Sequence, residues 1–300
     1  MKNVSLLDYL LAFRYSFYNF FKLFLFDYVK TYKNFSHVLS STFIKKQFPV
    51  KVVLKSGKTY SLQDAHQVRF LSSNNSWKFC TIEDSVITIL PKSLPPVKFS
   101  NWEHGGDLIG VFLIEEYKTL PVKNSIVIDI GGNVGDSAIY FALKGAKKVI
   151  SFEPSIKNSE FAKKNIELNN LNDKIIFNLK AVTANTGFIK IDPDMSGNQG
   201  KITHHENGIE IPSITLDDIV KNHVSENAVL KIDCEGCEYD IINQTSDSTL
   251  KYFSHIQIEY HHGYKDLKTK LEKIGFVVKI SRPIRFKKNM FVGHIYAYQK

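Results

Sequence analysis

Residues 126–136 read IVIDIGGNVGD, an apolar run that ends at an acidic residue and passes into a glycine-rich turn. Strands that are buried on both faces of a parallel sheet read as apolar runs of this kind. The residues from Ser137 to Leu143 continue with a helical pattern. A strand, a glycine-rich turn and a helix in this order predict a βα unit whose loop faces a ligand.

The glycine spacing excludes two common phosphate-binding loops. No Gly-Lys-Ser/Thr ending is present to meet a nucleoside triphosphate, and Gly131, Gly132 and Gly135 do not match the G-x-G-x-x-G dinucleotide fingerprint. Asp129, at the end of the strand, instead suits a cationic amino group, and backbone N–H groups near the helix start can face a carboxylate. S-adenosylmethionine carries both groups.

The next apolar run ends in Phe152-Glu153-Pro154, 24 residues beyond Asp129. A carboxylate at this strand end can accept hydrogen bonds from both hydroxyls of a ribose. A tight turn and a surface carboxylate would explain the two features separately. Their occurrence at the ends of consecutive strands favours a cofactor site.

Apolar runs and helical patterns alternate from residue 125 onward, which predicts a doubly wound α/β sheet. The predicted strands are Ile126–Ile130, Lys148–Phe152, Ile175–Leu179, Val229–Asp233, His255–Glu259, Phe276–Ile280 and Gly293–Tyr298. The predicted helices span about 136–144, 156–169, 215–222, 238–244 and 264–274. The polar segment 185–212 breaks the alternation, and we interpret it as an irregular insertion over the ligand face.

Three blocks of sequence carry a family resemblance: VIDIGGNVGD followed by FEP, LKIDCEGCEY (230–239) and IEYHHG (258–263). They resemble the FkbM family of S-adenosylmethionine-dependent methyltransferases over residues 106–298. The D-x-E-G-x-E and I-E-Y-H patterns are specific to that family, whereas the glycine-rich loop is typical of the wider class. Two positions depart from the family, since Gly132 and Cys237 stand where Ala is common.

The resemblance implies a Rossmann-like class I methyltransferase fold, with a seven-stranded, mostly parallel sheet whose last strand is antiparallel. It also implies an O-methyltransferase that uses S-adenosylmethionine, with Glu153 on the ribose and with Ala181 and Val182 beside the adenine. The residues implied for the methionine end of the cofactor are Asp129, Gly131, Asn133, Gly135 and Asp136.

The same resemblance places Asp233 and Glu235 near the transferred methyl, joined by Glu259 and His261 from the fifth strand. His261 is the preferred general base because the pKa of a histidine lies near neutrality, with the carboxylates as its partners or rivals. The alternative is a histidine that only hydrogen-bonds a strand end. Mg²⁺ at Asp233 and Glu259 is left open, since hard cations prefer carboxylates, and no metal ligand is assigned.

The three cysteines complete neither a disulfide framework nor a zinc site. Cys234 and Cys237 are three residues apart, and Cys80 lies far upstream. We interpret the pair as small residues at a position where the family has Ala, in a reducing, intracellular setting.

Residues 1–35 hold twelve of the 38 aromatic residues. Apolar side chains recur there at three- and four-residue steps, which predicts an amphipathic helix. Charged residues interrupt every window long enough to span a bilayer, so a transmembrane helix is excluded. Two interpretations stay open: an interfacial helix that binds a membrane surface, and, as the favoured one, a helix packed on the body of the protein or in a dimer interface.

The chain is predicted to have three parts. An aromatic-rich helical region spans 1–47, a small β-rich module with a linker spans 48–105, and a methyltransferase domain spans 106–300. The module is predicted from the short β-rich pieces VKVVLKSG (50–57) and SVITIL (85–90).

The chain of 300 residues has a formal net charge of +9, which favours contact with phosphates, nucleic acid or an anionic membrane surface. An RNA methyltransferase is one alternative function, although the two carboxylates of Asp-Cys-Glu-Gly would repel a phosphate backbone and disfavour nucleic acid. A non-catalytic scaffold with a degenerate methyltransferase fold is the other.

We expect a cytoplasmic enzyme, peripheral on the inner face of the membrane, whose acceptor is a small molecule or a glycan such as a lipid-linked sugar. The sequence determines neither the acceptor nor the oligomeric state.

Overall fold

A computed structural model describes residues 26–100, 105–192, 208–224, 228–287 and 290–299, together with Val4 and Trp102. These residues divide into two compact units, one within Tyr15–Glu116 and the other within Met1–Arg14 and Tyr117–Lys300. The first 25 residues of the predicted amphipathic helix, apart from Val4, lie outside the described residues.

The unit within Tyr15–Glu116 is built from short elements. Its helices are α1 (Tyr28–Thr31), α2 (Phe35–Leu39), α3 (Ala65–Ser72) and α4 (Gly105–Ile109), with π-helical turns at Ser40–Lys45 and Gly110–Ile114 and a 3-10 segment at Ser73–Lys78. Its strands are β1 (Val50–Val53), β2 (Thr59–Leu62), β3 (Cys80–Glu83), β4 (Val86–Ile89) and β5 (Val97–Phe99). Strands β1 and β2 form one antiparallel pair, and β3, β4 and β5 form an antiparallel sheet.

The domain boundaries differ from the predicted ones, because buried aromatic residues join segments that the sequence separated. Tyr32 is fully buried and donates its hydroxyl to the carbonyl of Val68, 2.6 Å away, which joins the predicted helical region to the β-rich module. The ring of Phe112 packs 5.4 Å from that of Phe99, so the segment after residue 105 belongs to this unit.

The second unit is the predicted α/β domain. Its helices are α5 (Asp136–Leu143), α6 (Ile156–Leu168), α7 (Leu216–His223), α8 (Glu238–Gln244), α9 (Asp247–Leu250) and α10 (Lys265–Lys273). Its strands are β6 (Ile126–Ile130), β7 (Lys148–Glu153), β8 (Ile175–Leu179), β9 (Ala181–Val182), β10 (Gly187–Ile191), β11 (Ile209–Ile214), β12 (Ala228–Ile232), β13 (Phe253–Tyr260), β14 (Val277–Ile280), β15 (Ile284–Lys287) and β16 (Met290–Tyr298).

The main sheet has the strand order β8-β7-β6-β12-β13-β16-β14, and β15 pairs with β16. Strands β8, β7, β6, β12 and β13 are parallel, whereas β16 is antiparallel to both β13 and β14. The predicted seven-stranded, mostly parallel sheet with an antiparallel last strand is confirmed. Every residue of β6 and β12 is buried, as expected of central strands covered on both faces.

The carboxyl ends of the central strands bring the sequence motifs together. The register of β12 against β6 pairs Lys231 with Asp129 and Ile232 with Ile130. The segment from Asp233 onward therefore begins beside the glycine-rich loop that follows Ile130. In open α/β sheets, this edge is where ligands bind.

The prediction of an irregular insertion over 185–212 is wrong at both of its ends. Strands β10 and β11 pair antiparallel, and β11 also pairs with β9 to form a separate three-stranded sheet. Alternating apolar residues bury Ile189, Ile191 and Ile211 on one face, which is a strand pattern that charged neighbours obscured. Residues 193–207 lie outside the described residues.

None of the helices in the described residues combines the length and the apolar content that crossing a bilayer requires.

Candidate active site

The glycine-rich loop lies directly against the start of the β12–α8 turn. Gly131 has a φ of 80°, and a Cβ built there would lie 1.7 Å from the backbone carbonyl oxygen of Asp233. Any side chain at position 131 would both strain the backbone and collide with that carbonyl. The loop and the candidate acidic site are therefore in backbone contact.

The surroundings of Gly132 explain why a glycine stands where the family commonly has Ala. A Cβ at this position would lie 2.1 Å from Oγ of Ser151 and 2.9 Å from the ring of Phe177. Ser151 donates its hydroxyl to Asp129 at 2.7 Å, so this oxygen fills the space that an alanine methyl would need.

Glu153 ends β7 and holds the loop and the next helix. Its Oε2 accepts the backbone N–H of Asn133 at 3.0 Å, and its Oε1 accepts that of Ser155 at 2.9 Å. Ser155 is in turn the N-cap of α6. Burial raises the pKa of Glu153 to about 7, against the lowering effect of these two N–H groups. The side chain is 7% exposed, which excludes the surface carboxylate that the sequence left as an alternative.

Asp129 is enclosed by protein groups. Its carboxylate is fully buried and accepts the hydroxyls of Ser137, at 2.9 and 3.0 Å, and of Ser151. Nζ of Lys231 lies 3.2 Å from its Oδ1. Protein groups therefore surround this carboxylate, and its predicted contact with a cofactor ammonium stays a prediction. Through these contacts, Asp129 stabilises the strand and the loop.

Asp136 is the second loop carboxylate and is nearly buried, at 4% exposure. Burial is the largest cause that raises its pKa, to about 6, while Lys231 lowers it. It is the first residue of α5, where backbone N–H groups and the helix dipole favour a negative charge.

Ala181 and Val182 do not present their side chains to an open site. They form β9 and are 0% and 3% exposed. Ala181 packs in the core of the small sheet and Val182 in the main core.

The predicted acidic site is brought together at the ends of β12 and β13. One ligand-type atom from each of Asp233, Glu259 and His261 lies within 4.8 Å of the others. Glu235 joins them, since its Oε2 is 3.3 Å from Nε2 of His261. Residues from the blocks LKIDCEGCEY (230–239) and IEYHHG (258–263) thus form one cluster, although their chemical roles stay predictions.

Glu238 completes this cluster and was not predicted as a site residue. It is fully buried at the start of α8, and its Oε1 accepts both the backbone N–H and the Nδ1–H of His261, at 2.9 and 3.1 Å. Its other oxygen accepts the N–H of Gly236 at 2.8 Å. The third acid of the D-x-E-G-x-E block was the signal for it.

The surroundings of His261 change its expected chemistry. Burial alone would lower its pKa, but Glu238, Asp233 and Glu235 outweigh burial and raise it to about 9. The imidazole is 3% exposed. The reason for preferring it as a general base, a pKa near neutrality, does not hold in this environment.

Two further residues were missed by the sequence analysis. Lys231 is 2% exposed and bonds the carbonyl of Gly131 at 2.6 Å, and Asp129, Asp233 and Asp136 together raise its pKa although burial opposes this. His294 lies opposite Glu259 in the register of β13 and β16. Its sequence position in the last strand gives no sign of this placement.

Cys234 and Cys237 are joined by a disulfide, with their Cα atoms 5.5 Å apart. The interpretation of the pair as simple small residues is therefore wrong in this structure. Cys80, in the other unit, is a free and buried thiol.

Residues 129–281, just over half of the chain, match the family described as the Methyltransferase FkbM domain. The chain belongs to the FkbM methyltransferase family. The match begins at Asp129 and includes the glycine-rich loop, Glu153 and the whole acidic cluster, whereas His294 lies beyond its end.

Two curated relatives resemble this FkbM-family chain. Methyltransferase 1 of Beauveria bassiana (strain ARSEF 2860) is 22% identical over 201 residues, covering 58% of the chain and 81% of that protein. Uncharacterized protein 158B of Sulfolobus islandicus rod-shaped virus 1 is 44% identical over 50 residues, 17% of the chain. The chain spans 32% of the length of the viral protein.

Solved structures of low sequence identity are also similar. Methyltransferase FkbM from Methylobacillus flagellatus KT has a TM-score of 0.43 and 18% identity, over 60% of this chain and 45% of that one. TrmK of M. capricolum, in complex with S-adenosyl-homocysteine, has a TM-score of 0.40 and 16% identity, over 60% of this chain and 65% of that one. The chain thus spans less than two thirds of the length of either structure.

Proposed function

We propose that this FkbM-family chain is an S-adenosylmethionine-dependent O-methyltransferase that acts on a hydroxyl of a small-molecule or glycan acceptor. The proposal rests on the contact between the glycine-rich loop and the start of the acidic cluster at the carboxyl edge of the main sheet. The loop of Gly131 touches the backbone of Asp233, so a cofactor on the loop has its reactive end beside the acidic cluster.

The residues of the loop fit this cofactor. Each carboxylate oxygen of Glu153 accepts one backbone N–H. A carboxylate oxygen can accept two hydrogen bonds, so each oxygen has a second lone pair for one of the two ribose hydroxyls. Asp136, rather than the enclosed Asp129, is the carboxylate that we assign to the ammonium. When bound, S-adenosylmethionine supplies an electrophilic methyl group on its sulfonium.

The acidic cluster takes up the proton that the hydroxyl of the methyl acceptor loses. A hydroxyl that is methylated forms a new C–O bond from its lone pair and loses its proton, while the electrons of the C–S bond go to sulfur. Asp233, Glu235 and Glu259 are the candidate proton acceptors, and His261, held by Glu238, orients them. Alignment of the hydroxyl with the methyl group supplies the remaining rate enhancement.

The proposal extends to a lipid-linked acceptor and a peripheral location on the cytoplasmic face of a membrane. Phe26 and Ile44 are 61% and 78% exposed in the unit within Tyr15–Glu116. Lys30, Lys45 and Lys46 are exposed in the same short stretch. Exposed apolar residues interleaved with lysines suit an anionic membrane surface. Flotation with anionic vesicles tests this, and no binding by the intact chain would refute it.

The enzymatic proposal is tested with methyl-labelled S-adenosylmethionine and three acceptor pools: polar glycans, lipid-linked glycans and transfer RNA. Label in a base-stable ether of a glycan supports it. Label only in RNA favours the nucleic-acid alternative, and cofactor binding without transfer to any pool favours the scaffold.

A further inference from the structure

The acidic cluster has more ligand groups than one proton transfer needs. Asp233, Glu259 and His261 each turn an oxygen or nitrogen atom toward the others, within 4.8 Å. Two ligands that each lie about 2.1 Å from one ion stand no more than about 4.2 Å apart, so the cluster closes around an ion with shifts of about half an ångström. The three groups come from two adjacent strand ends, β12 and β13, which hold their backbones at fixed positions.

Glu238 orients the imidazole of His261 for metal binding. Because Oε1 of Glu238 accepts the proton of Nδ1, the opposite nitrogen, Nε2, is the one that binds a metal ion, which displaces the proton of Nε2. Nε2 faces the carboxylate of Glu235, 3.3 Å away, and thus points toward the acidic side of the cluster. A buried carboxylate behind a histidine is the usual support of a metal-binding imidazole.

His294 provides a second, independent observation. It is the register partner of Glu259, so both side chains lie on the same face of the sheet. Its Nδ1 atom is buried and has no hydrogen-bond partner among the residues that the structure describes. Asp233 and His261 are both close enough to affect its charge. A buried imidazole nitrogen beside two carboxylates and a second histidine points to a ligand, either an ion or its bound water.

We propose that Asp233, Glu259 and His261 bind one divalent cation that prefers oxygen and imidazole ligands, such as Mn²⁺ or Mg²⁺, with His294 beside it. Its role rests on the proposed methyl transfer. The cation lowers the pKa of an acceptor hydroxyl placed next to it, and the released proton goes to Glu235. Vicinal hydroxyls, as on sugars, suit such a site because both oxygens can approach the ion.

The test begins with the full chain from which a chelator has removed bound metal. This protein is titrated with Mn²⁺, and electron paramagnetic resonance measures the concentration of free Mn²⁺. We expect one saturable site that excess Mg²⁺ competes for. Asp233→Asn and Glu259→Gln should each weaken Mn²⁺ binding at least tenfold, and Glu238→Gln by about 10–100-fold. Glu272→Gln, which changes a carboxylate on the exposed face of α10, should leave binding unchanged.

Circular dichroism identifies variants that fail to fold, and the near-isosteric Asp233→Asn then decides the result. No saturable Mn²⁺ binding by the native chain, or equal binding by folded Asp233→Asn, would overturn the proposal. Calorimetry with S-adenosylmethionine on the same stripped protein separates this failure from a failure of the proposed function.

Discussion

Nζ of Lys231 and Oδ1 of Asp129 lie 3.2 Å apart on adjacent strands, and neither side chain is more than 2% exposed. The pair joins β12 to β6 two residues before the glycine-rich loop begins at Gly131 and the acidic cluster begins at Asp233. Lys231 also bonds the carbonyl of Gly131. The buried ammonium of Lys231 thus holds strand β6 and the glycine-rich loop against β12, the strand that leads into the acidic cluster.

Lys231→Met should destabilise the fold strongly. The change leaves the carboxylate of Asp129 buried without its cation, and breaking a buried pair in this way costs about 3–5 kcal/mol. Urea unfolding followed by circular dichroism measures it. Lys164→Met, an exposed change on α6, is the control and should stay within about 0.5 kcal/mol of the native chain. Equal stability of the two variants would contradict the structural role of the pair.

Gly132→Ala should be destabilising, and it should cost less in a Ser151→Ala background than in the native chain. The added methyl meets Oγ of Ser151 at 2.1 Å, and overpacking of this kind costs about 1–3 kcal/mol. Ser151→Ala alone loses the bond to Asp129, at about 1.5–3 kcal/mol. The free energy of unfolding of the double variant should show a smaller loss than the sum of both singles. Simple additivity would show that the two atoms do not compete for space.

Binding of 5′-methylthioadenosine should tighten as the pH rises through about 7. Burial raises the pKa of Glu153 to about 7, and only the ionised carboxylate accepts both ribose hydroxyls. Between pH 6 and pH 8 the ionised fraction, and with it the affinity, should rise roughly tenfold. Calorimetry at several pH values measures this. The rise should disappear in Glu153→Gln, and a rise that persists in that variant would assign the titration to another group.

Asp136→Asn should separate the two ends of the cofactor. The variant should weaken S-adenosylmethionine, which carries the ammonium, and leave 5′-methylthioadenosine, which lacks it, unchanged. Competition calorimetry compares the two ligands on one protein sample. Equal losses for both ligands would mean that Asp136 only shapes the loop.

The fold was largely predictable because the strands and helices of the second unit have clear periods. The predicted strand Ile126–Ile130 agrees with β6 at both ends, and helix 238–244 agrees with α8. The hairpin of β10 and β11 was not predicted, since exposed Phe188 and the charged Lys190 hide the buried isoleucines between them.

The spatial grouping of the acidic residues was predictable from the sequence, whereas their membership of a functional site and their roles stay predictions. Asp233, Glu235, Glu259 and His261 do meet, because they follow strands that are neighbours in the sheet. The enclosure of Asp129 could not be predicted from its own neighbourhood in sequence. Its cation, Lys231, lies far along the chain and reaches it only through the pairing of β12 with β6.

The central claim, a cofactor site formed by the glycine-rich loop and Glu153, is tested most directly by calorimetric titration with S-adenosylmethionine. The native chain should bind it with micromolar affinity, about −8 kcal/mol, and so should Glu160→Gln, an exposed change on α6. Folded Glu153→Gln should lose at least tenfold in affinity. No binding by the native chain, or undiminished binding by folded Glu153→Gln, would contradict the account.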